Sequence, residues 1–125
     1  MNKSAKSADG FDIRPAEEKD VKLILQFITD LGTYEKLSHQ VVVTEEKLLK
    51  TLFRQRMAEV IIGEYKGVPV GFALFFHNYS TFLGQAGIYL EDLFVNPEMR
   101  GKGFGKNMLK YLAKLAVERD CGRLE

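Results

Sequence analysis

The sequence predicts one α/β domain in which helices flank a mixed, mostly antiparallel sheet. Apolar patterns follow the order β, α, α, β, β, β, α, and then the start of another β. Antiparallel hairpins come before a single strand–helix–strand unit, which is cut short at the end of the sequence, so the pattern is not the repeating βαβ array of a parallel sheet. A length of 125 residues favours a single domain and suffices to bury a core without disulfides.

The first predicted elements are a strand and a helix. Residues 11–14 form a short strand candidate that ends at Pro15. Acidic residues after Pro15 suit a helix N-terminus, where negative charge meets the positive end of the dipole. Apolar residues then follow helical spacing and predict a core-facing side, with Gly32 as the end of the helix. These residues are Val21, Ile24, Leu25, Ile28 and Leu31.

A second helix and a hairpin come next. Thr44 is a good N-cap for a helix whose apolar face consists of Leu48, Leu49, Leu52 and Phe53. Residues 59–65 and 68–79 predict two strands, because apolar runs flank the turn residues Lys66 and Gly67.

The last part of the chain predicts a loop containing Gly84 and Gly87, a strand over residues 88–95 and a helix over 107–119 capped by Gly122. The apolar face of that helix consists of Met108, Leu109, Leu112, Leu115 and Ala116. Residues 123–125 begin another apolar segment. Because that helix would lack its crossover partner, we expect the natural protein to continue and this chain to lack its C-terminal part.

Composition excludes several functional classes. The net charge of +1 gives no indication of nucleic acid or acidic membrane binding. No apolar run is long enough to span a bilayer, and residues 1–10 predict a polar, mobile tail without the core of a signal peptide. The single Cys121 cannot form an internal disulfide, so we expect a cytoplasmic protein.

A glycine-rich turn joins the last strand to the last helix. Arg100, Gly101, Gly103 and Gly105 lie between them, with Lys102 and Lys106 interspersed. Glycines let a ligand approach the main chain, and the free N–H groups of a helix's first turn favour an anion such as phosphate. The turn therefore predicts a pyrophosphate site, against the alternative of a glycine turn with no ligand.

Two common phosphate motifs do not match this turn. A P-loop requires a hydroxyl after Gly-Lys, but Asn107 follows Lys106. The dinucleotide fingerprint started at Gly101 and Gly103 requires a glycine where Lys106 stands. What remains is the pattern Arg-x-x-Gly-x-Gly.

That pattern resembles the acetyl-CoA pyrophosphate loop of the GNAT acetyltransferase superfamily. The stretches YLEDLFV and VNPEMRGKGFGKNML are similar to its central strand and following helix. DLGTYEKLSHQVVVTEEKLL and GFALFFHNYSTFLGQAGIYLEDLFV are similar to the spermidine/spermine acetyltransferase-like branch. The resemblance covers residues 11–125. It implies the GNAT fold over those residues, with further C-terminal strands and a helix that supply the general acid, so we expect this chain alone to turn over poorly.

The resemblance implies acetyl-CoA as co-substrate and no metal. Backbone groups of Leu93, Phe94 and Val95 would bind the pantetheine arm, and a backbone N–H at a bulge in that strand would polarise the thioester carbonyl. The N–H groups of the turn would hold the pyrophosphate, with contributions from Arg100, Gly101, Lys102, Gly103, Phe104, Gly105 and Lys106.

Two adjacent carboxylates, Glu91 and Asp92, interrupt the apolar central strand. Burying a carboxylate is costly unless it is paired or used. Strand alternation predicts Tyr89, Leu93 and Val95 on one face and Leu90 and Phe94 on the other. By resemblance, Glu91 would remove the proton of the attacking amine, through water. Asp92 would be a second acceptor-site charge or a structural partner.

The acceptor side has less support. By resemblance Tyr34 and Glu35 belong to the acceptor loop, where negative charge attracts a cationic amine, against the alternative of a solvated helix end. Tyr79 and Phe82 line the acceptor cleft or simply pack. The expected substrate is the primary amine of a polyamine, diamine or lysine-like molecule. Alternatives are a non-catalytic CoA-binding module and a peptide amine acceptor. Family members are often homodimers, which we expect here.

Overall fold

A computed structural model describes residues 5–6 and 10–125. Its strands are β1 (Ala5–Lys6), β2 (Phe11–Pro15), β3 (Glu59–Tyr65), β4 (Val68–Ser80) and β5 (Gln85–Val95). Its helices are α1 (Val21–Tyr34), α2 (Glu45–Leu48), which continues as a π-helical segment over Leu49–Arg54, and α3 (Phe104–Glu118). The strands form one antiparallel sheet in the order β1-β2-β3-β4-β5. The predicted fold class is confirmed.

The N-terminal region differs from the sequence prediction at β1. Ala5 and Lys6 pair with Ile13 and Asp12 of β2, a pairing that a polar dipeptide does not signal. The rest of the predicted mobile tail, apart from Gly10, lies outside the described residues. No helix in the described part of the chain is long and apolar enough to span a membrane.

The sheet separates two apolar clusters. On one face α3 covers a cluster built from β2, β4 and β5, with Met108 and Leu112 fully buried. On the other face α1 and α2 cover Phe72 and Phe94, and Phe27 stacks on Phe72 with ring centroids 5.4 Å apart. Because both faces are covered, β4 and β5 carry apolar residues on each side.

The end of the chain adds a parallel edge to β5. The N–H of Ile88 donates to the carbonyl of Arg123 at 2.9 Å, and the N–H of Leu90 donates to that of Glu125 at 2.7 Å. Leu124 forms a parallel bridge with Ile88. The predicted start of another strand is therefore confirmed, and it makes the sheet mixed.

A β-bulge lies in the middle of β5. Leu74 of β4 pairs with Asp92, but the next residue, Phe75, pairs with Leu90, so Glu91 is the extra residue. The bulge corrects the predicted alternation, because the inserted residue reverses the faces on its N-terminal side. Leu90 packs with Leu93 in the cluster under α3, not with Phe94.

The ends of the helices also correct the sequence prediction. Gly32 lies inside α1 and is needed for packing, since a Cβ there would lie 2.6 Å from Val41 Cγ2. Helix α3 begins at Phe104, three residues before the predicted start at Asn107. Its C-terminus turns through Asp120, at φ 56°, rather than through Gly122. Leu109 was predicted in the core but is exposed.

Gly87 lies within β5 rather than in the preceding loop. The side chain of Asn78 crosses β5 at this point, and its Nδ2 donates to Glu125 Oε1 at 2.6 Å. A Cβ at Gly87 would lie 2.5 Å from Asn78 Oδ1. Gly87 therefore leaves room for the Asn78 side chain of β4 to reach Glu125, which lies beyond β5 in the segment of residues 123–125.

A buried ion pair joins β2 to the start of α1. Arg14 donates through both Nη atoms to the two Asp20 oxygens at 2.8 and 2.9 Å, and through Nε to Glu64 at 3.1 Å. Asp20 is 6% exposed. The hydrogen bonds from Arg14 lower the pKa of Asp20 despite its burial. The sequence did not signal this pair.

We expect Asp20→Asn to lower the free energy of unfolding at pH 7 by about 3 kcal/mol, because Arg14 loses the bidentate one of its two charged partners and keeps only Glu64. A depressed folded pKa stabilises the protein above the unfolded pKa, near about 4, and the effect is lost as pH falls through the folded pKa. Urea unfolding should therefore show the difference from the parent shrinking in acid. Asp12→Asn on the same strand is the control. A difference that is independent of pH would contradict this assignment.

Candidate active site

A cleft of about 440 Å³ opens between the end of α1, the second half of β5 and the glycine turn. The structure brings most of the predicted cofactor residues to it. Its lining consists of Leu31, Tyr34, Glu35, Leu93, Phe94, Val95, Met99, Arg100, Gly101, Gly103, Phe104 and Gly105. Leu31 and Met99 were not predicted to line a site. Their spacing marks them only as apolar residues.

The glycine turn forms one side of the cleft. Gly101 and Gly103 both have φ of 82°, and a Cβ at either would meet nothing within 4 Å. Packing therefore does not require glycine there, whereas the backbone angle does. The first bond of α3 runs from the N–H of Asn107 to the carbonyl of Gly103 at 3.0 Å. The N–H groups of residues 104–106 consequently have no acceptor within the helix, and this arrangement fits a pyrophosphate.

Three residues of the turn that were predicted to bind the cofactor have side chains in other environments. Lys102 and Lys106 are exposed and do not line the cleft, and Lys102 Nζ lies 5.9 Å from the ring centroid of Tyr65. Phe104 is buried and stacks on Phe11 with ring centroids 4.2 Å apart. Its side chain anchors the start of α3 in the core, and the residue also contributes to the lining of the cleft.

The outer edge of β5 beyond the bulge has no strand partner in the described part of the chain. The buried side chains of Phe94 and Val95, 2% and 8% exposed, hold this edge rigidly in the core. Exposed backbone groups at a rigid edge can pair with an extended ligand as a neighbouring strand would. This supports the predicted role of Leu93, Phe94 and Val95 through their main chains.

Arg100 has a defined position at this edge. Its Nε donates to the carbonyl of Val95 at 2.9 Å. Its Cζ lies 4.1 Å from the ring centroid of Tyr34 and 5.5 Å from that of Phe94. The guanidinium thus lies between α1 and β5, rather than among the N–H groups of the turn.

Two predicted catalytic carboxylates differ in environment. Glu91 is exposed at the bulge, so the expectation of a carboxylate buried in an apolar strand is wrong for it. Asp92 is half-buried on the face that α1 covers, since its cross-strand partner Leu74 packs in that cluster. Burial raises the pKa of Asp92, and the charges of Glu91 and Glu35 raise it further. Of these three carboxylates, Glu35 lines the cleft, and Glu91 and Asp92 directly precede Leu93 of its lining.

Tyr79 and Phe82 are not part of this arrangement. They are 64% and 100% exposed, near the hairpin between β4 and β5, and do not line the cleft. The cleft lies toward the opposite end of β5, at Leu93–Val95. Among the described residues, no group of three or more His, Cys, Asp or Glu side chains is placed to hold a metal ion.

Comparison with known proteins agrees with this geometry. Residues 26–125 match the model of the acetyltransferase (GNAT) family. The chain is 40% identical over 121 residues to the thialysine N-epsilon-acetyltransferase of Bos taurus, across 90% of this chain and 71% of that protein. It is 33% identical over 123 residues to the spermidine/spermine N(1)-acetyltransferase-like protein 1 of Homo sapiens, across 92% of this chain and 18% of that protein. A solved aminoglycoside acetyltransferase from an uncultured soil metagenomic sample has a TM-score of 0.81 at 18% identity, covering 94% of this chain and 77% of that one.

Proposed function

The chain belongs to the acetyltransferase (GNAT) family, and from this premise we propose that it moves an acetyl group from acetyl-CoA to the side-chain amine of a small, lysine-like molecule. It is an N-acetyltransferase whose relatives act on small-molecule amines. The observation that carries the choice of acceptor is a cluster of three carboxylates: Glu35 lines the cleft, and Glu91 and Asp92 directly precede the lining residue Leu93 in β5.

The cofactor side of the proposal rests on the turn and the edge of β5. The free N–H groups at the start of α3 would bind the pyrophosphate, and the open space at Gly101 and Gly103 would admit it. The main chain of residues 93–95 would pair with the pantetheine arm. A backbone N–H at the bulge would donate to the thioester carbonyl as negative charge develops on its oxygen. When bound, acetyl-CoA supplies an acetyl group activated as a thioester.

The acceptor side rests on charge. Carboxylates that crowd together repel one another, and this repulsion helps raise the pKa of Asp92. An ammonium group between them relieves that repulsion, so the cluster favours a cationic amine. We assign this binding role to Asp92 and Glu35. We propose that Tyr79 and Phe82, at the hairpin, take no part in this chain's acceptor site.

Glu91 completes the reaction as the proton acceptor. An amine must be neutral to attack, and most alkyl amines are protonated at neutral pH. The exposure of Glu91 at the bulge gives water access, so a water molecule can relay the proton to it. The amine nitrogen then forms the bond to the acetyl carbon and the carbon–sulfur bond breaks. The thiolate leaves with the bonding pair and takes up a proton, and the nitrogen releases one, so that the products are a neutral amide and a thiol.

A panel of amines tests this function. We expect kcat/KM for thialysine and lysine to exceed that for spermidine by at least about tenfold, with mass spectrometry placing the acetyl group on the side-chain nitrogen. Ornithine, one methylene shorter, tests pocket length. A preference for peptide amines would replace the proposed acceptor. Binding of acetyl-CoA without acetylation of any amine would favour the alternative of a CoA-binding module.

Two wider expectations accompany the proposal. We propose a homodimer, following the resemblance, and light scattering should then give about twice the 14.2 kDa mass of the chain. We also place the reaction in the cytoplasm, which the lone Cys121 supports. A monomer in light scattering would contradict the first of these.

A further inference from the structure

The contact between Tyr34 and Arg100 joins the predicted acceptor side to the cofactor side. Tyr34 is the last residue of α1 and is 56% exposed. Arg100 follows the short helical turn Pro97–Met99. The two residues are far apart in sequence, yet the Arg100 Cζ lies 4.1 Å from the Tyr34 ring centroid. That distance places the guanidinium directly against the ring.

We propose that Tyr34 is a positioning residue for Arg100, so that its ring serves acetyl-CoA binding rather than recognition of the amine. This inference rests on the proposed function. It gives different roles to Tyr34 and Glu35, two neighbouring residues that the family resemblance placed together in the acceptor loop. The carboxylate of Glu35 interacts with Asp92, whereas the ring of Tyr34 contacts Arg100.

The geometry restrains Arg100 from three directions. Tyr34 lies against the guanidinium, Phe94 lies 5.5 Å from its Cζ, and the Val95 carbonyl accepts its Nε–H at 2.9 Å. Phe94 is 2% exposed and itself lies 6.4 Å edge-on to Tyr34. Phe94 and Val95, which supply two of these restraints, both belong to β5, whereas Tyr34 supplies the third from α1.

This restraint matters because a guanidinium has five N–H donors in a fixed fork. One donor is used on Val95, and the others are on the terminal nitrogens. Arg100 lines the same cleft as Gly101, Gly103 and Gly105, so a held guanidinium adds a positive charge beside the anion site. An arginine that is already ordered loses less conformational entropy when the anion binds.

Calorimetric titration of CoA tests this role without turnover. We expect Tyr34→Leu to weaken CoA binding roughly threefold to fivefold, the range for an exposed cation–π contact. Tyr34→Phe keeps the ring and should stay within about twofold of the parent. Tyr79→Leu, a similarly exposed tyrosine outside the cleft, should have no effect.

A double-mutant cycle shows whether Tyr34 acts through Arg100. In an Arg100→Ala background, Tyr34→Leu should cause no further loss of CoA affinity. Additive losses, or an unchanged affinity in Tyr34→Leu alone, would overturn the inference. If the folded parent binds no CoA, the proposed function itself fails, and this role fails with it.

A measurement on the ligand-free parent guards against a variant that does not fold. Ring currents from Tyr34 should shift the side-chain proton resonances of Arg100 upfield in the NMR spectrum, and Tyr34→Phe should keep the shift. Arg100 resonances at ordinary positions in the parent would show that the contact does not persist in solution. That result would overturn the inference without any variant.

Discussion

We expect Gly103→Glu to weaken CoA binding by a factor of at least about 100 in Kd, corresponding to about 2.7 kcal/mol. The new carboxylate stands at the N-terminus of α3, where the free N–H groups would otherwise hold a pyrophosphate. Its negative charge repels the phosphates. A side chain at φ of 82° also strains the backbone by about 1–2 kcal/mol. Calorimetry with CoA measures the loss.

Gly67→Glu is the matched control. Gly67 has φ of 83°, and a Cβ there would also meet nothing within 4 Å. It lies in the turn between β3 and β4, where it does not line the cleft. The two variants therefore share the added charge and the backbone strain, and they differ in whether the substituted glycine lines the cleft. Equal CoA affinity in the two variants would contradict binding of the pyrophosphate at the glycine turn.

The second large effect is on turnover. We expect Glu91→Gln to lower kcat by about 10²–10⁴-fold, the usual contribution of a general base, while CoA affinity is unchanged. Affinity should hold because Glu91 is exposed at the bulge and does not line the cleft. Steady-state kinetics with thialysine, together with CoA calorimetry, measures both quantities.

Asp92→Asn separates proton removal from amine binding. It removes a charge from the same cluster, so KM for the amine should rise more than kcat falls. If Asp92→Asn lowered kcat and Glu91→Gln left it unchanged, Asp92 would be the proton acceptor and Glu91 would bind the amine. The raised pKa of Asp92 means that the carboxylate loses its charge at a higher pH than an ordinary aspartate would.

Local patterns predicted most of the elements because local physics forms them. Residues 59–65 form β3 as expected, and Lys66 and Gly67 form its turn with φ of 52° and 83°. Thr44 caps α2 by accepting the N–H of Lys47 at 3.1 Å. The glycine turn was also visible, since its backbone angles and its open space depend on the turn itself.

Other features depend on residues distant in sequence. Phe104 was predicted at the cofactor through its backbone N–H, and the residue lines the cleft, but the sequence did not indicate that its ring would stack on Phe11 in the core. Tyr79 and Phe82 were predicted at the cleft, but the length of β5 separates them from it. Neither outcome follows from the composition of the segment concerned.

The order of elements, the glycine-rich turn and the family resemblance were all present in the sequence, because each depends on neighbouring residues and backbone angles. The tertiary structure alone decided the register around Glu91. That single extra residue, unpaired opposite Leu74 and Phe75, places Leu90 on the face of Leu93 and leaves Glu91 exposed, whereas Asp92 shares the face of Phe94 by simple strand alternation. Strand pairing sets that register across the sheet, so no pattern within β5 itself reports it. The contact of Arg100 with Tyr34 arises in the same way, from the meeting of α1 and β5 in space.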